Sequence, residues 1–291
     1  MVDELPGRAP RESAEPGCCA LRCWGHAEAA FGGGLAPNRL ALRERAVAIG
    51  QERPPPERRL QSRKRGGDLE PWFAVAKAIV VPPLKLWFNW RLEGVERVPR
   101  EGPIIIVGNH LSYLDPLAHA YFVVQAGRRP RFLAKAELFE NPFLRVVLRG
   151  AGQIPVRRGT GDQAPLEEAA RALDRGEVVV IYPEGTSMTE NPDLSPMRGK
   201  TGAVRLSIRT GVPILPVATW GGQYVWRKGG PKRFTFGRPI WLKAGEPLEP
   251  PAMGPASAQD QELVRRLTDE LMDRLTVLVD DLRSRYPKRW A

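Results

Sequence analysis

The chain has 291 residues, enough for one large domain or two modest ones with a proper core. Lys and Arg number 44 against 33 Asp and Glu, a net charge of +11, so expected partners carry negative charge: nucleic acid, an anionic membrane face or phosphorylated substrates. The three cysteines fall between Cys18 and Cys23 and no cleavable apolar signal core opens the chain, which excludes a disulfide-framed secreted scaffold and favours a reducing cytoplasm.

Residues 1–67 mix Pro, Gly, Arg and Glu with short apolar islands and end in Arg53-Pro54-Pro55-Pro56-Glu57-Arg58-Arg59 and Arg63-Lys64-Arg65, which reads as a disordered basic arm. Cys18, Cys19, Cys23 and His26 do not make a zinc knuckle, because adjacent cysteines chelate poorly and no second ligand pair follows. Residues 68–93 are apolar and aromatic, but Lys77, Lys85 and Pro82-Pro83 interrupt them, so a spanning helix is not expected. Trp72, Trp87 and Trp90 with flanking cations suit a helical segment at a membrane interface; the same apolar face equally suits a helix covering the protein's own core.

From 94 to 250 short apolar runs alternate with helical patterns. Ile104–Val107, Phe132–Ala134, Gln153–Val156, Val178–Tyr182, Ile214–Ala218 and Phe234–Leu242 read as strands. Pro116–Gln125, Glu137–Leu148, Pro165–Arg175 and Lys200–Thr210 read as helices, three of them running into Gly127, Gly176 and Gly211. The alternation predicts an α/β domain with a mixed, largely parallel sheet flanked by helices. A Pro-rich linker, Pro247–Pro255, leads to a C-terminal amphipathic helix within 251–291, whose Leu263, Leu267, Leu271, Leu275, Leu278 and Leu282 share the face that packs on the domain.

Ligands of open α/β sheets bind beyond the carboxyl ends of the strands. The first such end, Gly108-Asn109-His110-Leu111-Ser112-Tyr113-Leu114-Asp115-Pro116, places a histidine after a strand and an aspartate where a helix begins. Asp115 before Pro116 is an N-cap signal, and a tight turn would equally bring its carboxylate to one nitrogen of His110, leaving the other as a base. No Gly-x-Ser-x-Gly elbow and no cysteine outside the arm offers a nucleophile, so the pair suits direct deprotonation of a hydroxyl that attacks an activated carbonyl. His119 has no acidic neighbour and reads as structural. Glu184 in Tyr182-Pro183-Glu184-Gly185-Thr186 suits a substrate hydroxyl, the orientation of backbone donors, or simple solvation. Arg157 and Arg158 and Lys135 follow other strands, and Lys200 opens a helix after Met197-Arg198-Gly199; these cations suit phosphate, or solvent. No metal cluster and no nucleic-acid-binding module is recognisable.

In their order, Asn109-His110-Leu111-Ser112-Tyr113-Leu114-Asp115, Ile154-Pro155-Val156-Arg157-Arg158-Gly159, Tyr182-Pro183-Glu184-Gly185-Thr186 and Val212-Pro213-Ile214-Leu215-Pro216-Val217 resemble the four blocks of the glycerolipid acyltransferase family, in its bacterial 1-acylglycerol-3-phosphate branch. The resemblance spans about residues 70–245. It implies that His110 is the base on the glycerol hydroxyl and Asp115 its orienter, with acyl-CoA or acyl carrier protein as donor substrate and no cofactor. It also implies that Arg158, with Lys135, holds the phosphate of lysophosphatidic acid, that Glu184, Gly185 and Thr186 bind the acceptor, and that the enzyme works peripherally on an anionic membrane surface at the cytoplasmic face. Two positions depart from the pattern: Ser187 stands where many members carry arginine, and Arg157 where an acidic residue is common. Arg157, Arg198 or Lys200 would then supply the missing cation, and glycerol 3-phosphate or another lysolipid fits the same reaction as acceptor.

Overall fold

The computed structural model describes residues 70–157, 163–185, 194, 196, 198–252 and 254–291. The expected arm with its cysteines, Arg158, Thr186 and Ser187 lie outside the described residues. Helix α1 (Glu70–Trp87) leads into β1 (Asn89–Glu93), β2 (Ile104–Gly108), α2 (Asp115–Gln125), β3 (Pro130–Lys135), α3 (Pro142–Gly150) and β4 (Ile154–Val156). Then follow α4 (Ala164–Asp174), β5 (Val178–Ile181), α5 (Gly202–Thr210), β6 (Ile214–Trp220), the single turn α6 (Gln223–Trp226), β7 (Pro239–Ala244) and α7 (Gln261–Arg285).

The strands form one sheet in the order β1-β7-β6-β2-β5-β3-β4, in which only β6 and β7 pair antiparallel. Strands β2, β5 and β6 are buried along their whole length, which is why they read as unbroken apolar runs rather than as alternations. Ile105, Val107, Val179 and Ile181 pack with α4, α5 and the first half of α7. Ile104, Ile106, Val178 and Val180 pack on the opposite face with α2. Burial of each such side chain contributes ~1.5–3 kcal/mol, so the central strands fix the register from which the site is built.

Helix α7 starts at Asp260, whose side chain caps it by accepting from the Leu263 amide at 3.0 Å. Its expected leucine face is buried except for half-buried Leu267, with Met272, Leu275, Leu278, Val279 and Leu282 closing over Trp220 and Trp241. Arg285 grips Glu93 of β1 with both terminal nitrogens, at 2.9 and 3.0 Å, and Asp281 accepts from Lys243 of β7 at 2.8 Å. The Arg285 guanidinium holds the Glu93 carboxyl below its ordinary value, and Lys243 does the same for Asp281. These pairs tie the C-terminal helix to the two strands at one edge of the sheet.

Four local differences from the expected elements have physical reasons. The segment expected as helical over 68–93 changes at Asn89, where β1 pairs in parallel with β7. Trp90 and Leu92 face the core while Arg91 and Glu93 face out, a period-two pattern too short to separate from the aromatic helix before it. Helix α1 continues through Pro82 and Pro83, which leave the carbonyls of Ala78 and Ile79 without intrahelical donors. The helix expected over Glu137–Leu148 is a 3-10 turn at Ala136–Phe139 followed by α3, because Asn141 caps a new start by accepting from Leu144 at 3.1 Å, with Pro142 in the first turn. The strand expected from Phe234 begins only at Pro239; before it Gly237 donates to the Trp87 carbonyl, so the chain follows the end of α1 rather than a neighbouring strand.

Candidate active site

Because β2, β5, β3 and β4 are mutually parallel, their carboxyl ends share one edge of the sheet, and there the predicted residues gather. Past Gly108 the ladder with β6 is continued by a side chain: Asn109 donates to the Thr219 carbonyl at 3.0 Å and accepts the Thr219 amide at 2.7 Å. That frees residues 110–114 to turn sharply before α2. Asp115 sits at the first position of α2, with Leu114 at the cap position. It is not the forward-reaching N-cap that its place before Pro116 suggested. Its carboxylate reaches back instead, accepting from the amides of Leu111 at 2.5 Å and Ser112 at 2.6 Å and from the Ser112 hydroxyl at 2.6 Å.

Oδ2, the oxygen that accepts both amides, lies 3.2 Å from His110 Nδ1, while the Ser112 hydroxyl occupies Oδ1. An ionised Asp115 accepts the Nδ1 proton, so the other ring nitrogen, Nε2, keeps its lone pair. Three donors and the imidazole around a fully buried carboxylate fix the ring's orientation, because any tilt sacrifices hydrogen bonds that no water replaces. A second wall comes from Tyr182, whose ring stacks on His110 with centroids 4.4 Å apart at 21°. The Tyr182 hydroxyl reaches Nδ1 of His119 at 3.1 Å, and His119 Nε2 meets the Val217 carbonyl at 3.0 Å. Burial pushes the His119 imidazole below its ordinary value and the Tyr182 phenol well above its own, the latter helped by the Asp115 and Glu184 carboxylates. His119 Nδ1 also lies 3.0 Å from the Asp115 carbonyl, so Val217, Asp115 and Tyr182 together hold the neutral ring in place.

Glu184 is buried, and its Oε1 accepts the backbone N–H of His110 at 3.1 Å. Of its three sequence readings, this contact is the orientation of a backbone donor. Gly185 follows with φ of +70°, and a β-carbon there would stand 2.6 Å from the Lys200 ammonium, so Lys200 lies across this turn. The Lys200 amide also donates to Pro183 at 2.8 Å. Glu184 is thus brought to His110, and Lys200 to the Pro183–Gly185 turn that carries Glu184. Lys135, at the end of β3, is exposed and pairs with Glu137 at 3.1 Å, and exposed Arg157 follows β4. With strands about 4.8 Å apart, these two ends lie about 10 and 14 Å along the edge from that of β2.

Residues without a role in the sequence reading complete the site. Asn109, Ser112 and Tyr182 lie inside blocks singled out for other members, and Asn109 is also a polar residue closing an apolar strand. Gly222 packs so closely that a β-carbon would stand 2.5 Å from Ser112 Oγ and 2.9 Å from Asp115 Oδ1. Its one signal is the Gly221-Gly222 pair after β6.

Residues 89–220 match the family model described as Acyltransferase. The chain is 33 % identical over 156 residues to a 1-acyl-sn-glycerol-3-phosphate acyltransferase of Borreliella burgdorferi, covering 51 % of this chain and 53 % of that protein. It is 32 % identical over 168 residues to a lyso-ornithine lipid O-acyltransferase of Pseudomonas aeruginosa, covering 55 % and 58 %. The chain spans little more than half the length of these two curated relatives. The crystal structure of the 1-acyl-sn-glycerophosphate (LPA) acyltransferase of Thermotoga maritima aligns with a TM-score of 0.56 at 28 % identity, covering 76 % of this chain and 81 % of that one.

Proposed function

We propose that this chain, which belongs to the glycerolipid acyltransferase family, moves a fatty acyl group from acyl-CoA or acyl carrier protein to the free hydroxyl of 1-acyl-sn-glycerol 3-phosphate, giving phosphatidic acid. The observation that carries this reading is the buried His110–Asp115 pair at the carboxyl edge of the sheet, with Nδ1 committed to the carboxylate. His110 Nε2 takes the proton of the acceptor hydroxyl as its oxygen attacks the thioester carbonyl. Asp115 stabilises the imidazolium that forms. The tetrahedral intermediate then expels the thiolate, which leaves as the thiol after taking the proton from His110. No acyl group rests on the protein, and the donor enters and leaves as a substrate, so the reaction calls for no metal or cofactor.

On the acceptor side Lys200 stands against Gly185, the residue after Glu184, and we assign it to the phosphate together with Arg157, Arg158 and Lys135. Glu184, by holding the His110 amide, positions the base, and we assign Gly185 and Thr186 to binding of the acceptor. Both lipids reside in a membrane, and α1 exposes Val75, Ile79, Val80 and Leu86 beside Lys77 and Lys85, which suits a peripheral position on an anionic surface. Among the described residues no helix is long and apolar enough to cross a membrane.

A second reading keeps the chemistry and changes the acceptor. It is favoured by Ser187, where many family members carry arginine, and by the similarity to a relative named for a lyso-ornithine lipid. Thiol release from oleoyl-CoA, measured in parallel with lysophosphatidic acid, glycerol 3-phosphate and lyso-ornithine lipid, separates the two. The first reading expects the highest kcat/KM with lysophosphatidic acid, and a preference for either other acceptor transfers the assignment to it.

A further inference from the structure

We propose that the loop from Trp226 to Gly237 is a membrane-contact element of its own, holding the mouth of the active site against an anionic lipid surface; this rests on the interfacial reading above and adds a place of contact to it. Between Gly221 and Gly245 the chain carries no acidic residue. Arg227, Lys228, Lys232 and Arg233 are all exposed on this loop. Among them stand Phe234 and Phe236, which leave 46 % and 67 % of their surfaces in water. Large aromatic groups exposed next to unneutralised cations match a bilayer boundary, where rings enter at headgroup depth and cations meet anionic headgroups. A protein partner would need matching acidic residues around an apolar socket; the reaction's own lipids supply both features without one.

The loop is firmly built. The Arg233 amide donates to the Val225 carbonyl at 2.7 Å, and Lys232 stands over the Trp226 ring at 4.8 Å. Its far side is tied to α1: Trp87 Nε1 donates to the Phe234 carbonyl at 3.0 Å, and the Trp87 ring meets Phe236 edge-on at 5.7 Å. Its near side is tied to the catalytic turn, since the Tyr113 amide donates to the Trp226 carbonyl at 3.0 Å and the two rings lie 5.1 Å apart. Tyr113 is three residues from His110 and is itself 45 % exposed. The Trp87–Phe236 ring pair and the Phe234–Trp226–Tyr113 ring contacts, joined by the hydrogen bond from Trp87 to the Phe234 carbonyl, thus run from α1 to the rim of the site. A membrane that receives α1 and this loop together lies next to His110, the position from which a lysolipid reaches the base with its chain still in the bilayer.

The test is vesicle partition of the full-length chain, on phosphatidylcholine alone and on phosphatidylcholine with phosphatidylglycerol in equal parts. Phe234→Ser with Phe236→Ser is expected to lower partition onto the mixed vesicles by about tenfold or more, because apolar area buried at the interface scales the binding. Arg227→Glu with Lys228→Glu, at exposed positions outside the Lys232–Trp226 contact, is expected to lower it on the mixed vesicles by a similar factor and to leave the weaker partition on phosphatidylcholine unchanged. Wild-type partition of the charge-reversed chain onto mixed vesicles overturns the proposal, as does wild-type partition of a phenylalanine variant that melts like the parent. Transfer to a short-chain, water-soluble acceptor, measured alongside, should be unchanged in both variants. A wild-type chain that shows loop-dependent partition but transfers no acyl group would refute the proposed reaction and leave the membrane contact standing.

Discussion

Replacing His110 with alanine is expected to lower acceptor-dependent thiol release by about 100-fold or more, the size of a positioned general base. The loss should fall on kcat, with the apparent KM for the acceptor close to that of the parent, since the imidazole moves a proton rather than holding the lipid. The effect is large because the site offers no substitute at that position. His119, the nearest other histidine in the sequence, is buried in a neutral state with its nitrogens engaged by Val217 and Tyr182. Folding should be little disturbed, because the His110 ring accounts for one stacking contact and one hydrogen bond, while its backbone amide remains bound to Glu184. Near-normal turnover in a folded His110→Ala protein would remove the mechanism.

The second large effect belongs to Asp115. Asp115→Ala deprives the Leu111 amide, the Ser112 amide and the Ser112 hydroxyl of their acceptor at one stroke. Each buried donor left without a partner costs about 1–3 kcal/mol, against a total stability of about 5–15 kcal/mol for a typical domain. A clear fall in melting temperature is therefore expected together with loss of turnover. Asp115→Asn separates the two contributions. One amide oxygen still accepts from the turn, but the NH2 group faces donors where an oxygen accepted, and the negative charge that stabilises the imidazolium is gone. Turnover should fall by about 100-fold or more in the asparagine variant, as expected when the orienting carboxylate beside a catalytic histidine is removed, with a smaller loss of melting temperature than in the alanine variant. Full turnover in Asp115→Asn would leave the residue as an anchor of the turn and nothing more.

What the sequence makes legible follows the range of the contacts involved. The His110–Asp115 relation spans five residues and one turn, so spacing offers it beside the helix-cap reading and the family resemblance selects it, and the buried strands announce themselves by runs such as Ile104–Val107 and Val178–Ile181. Strand β1 is obscured because its reason to exist is β7, some 150 residues away, and an edge strand whose outward side chains are Arg91 and Glu93 has no apolar run to display. The wall that Tyr182 provides to His110, and the grip of Glu184 on the His110 amide, arise only because β2 and β5 are neighbours in register. The Tyr-Pro-Glu-Gly block marks the place without saying which atom does what. Local cap chemistry at Asn141-Pro142 is present in the sequence, and the apolar pattern running past it conceals the new start of α3.

The central claim is that His110 drives acyl transfer straight from a thioester to a lysolipid hydroxyl. The most direct measurement follows a labelled acyl group from donor to product in a single reaction of the purified chain with lysophosphatidic acid, counting released thiol, labelled phosphatidic acid and protein-bound label together. Direct transfer predicts one labelled phosphatidic acid per thiol released, no label on the protein at any time point, and loss of both products in His110→Ala. Label accumulating on the protein before it appears in lipid, or thiol release that continues without any labelled lipid, would contradict it.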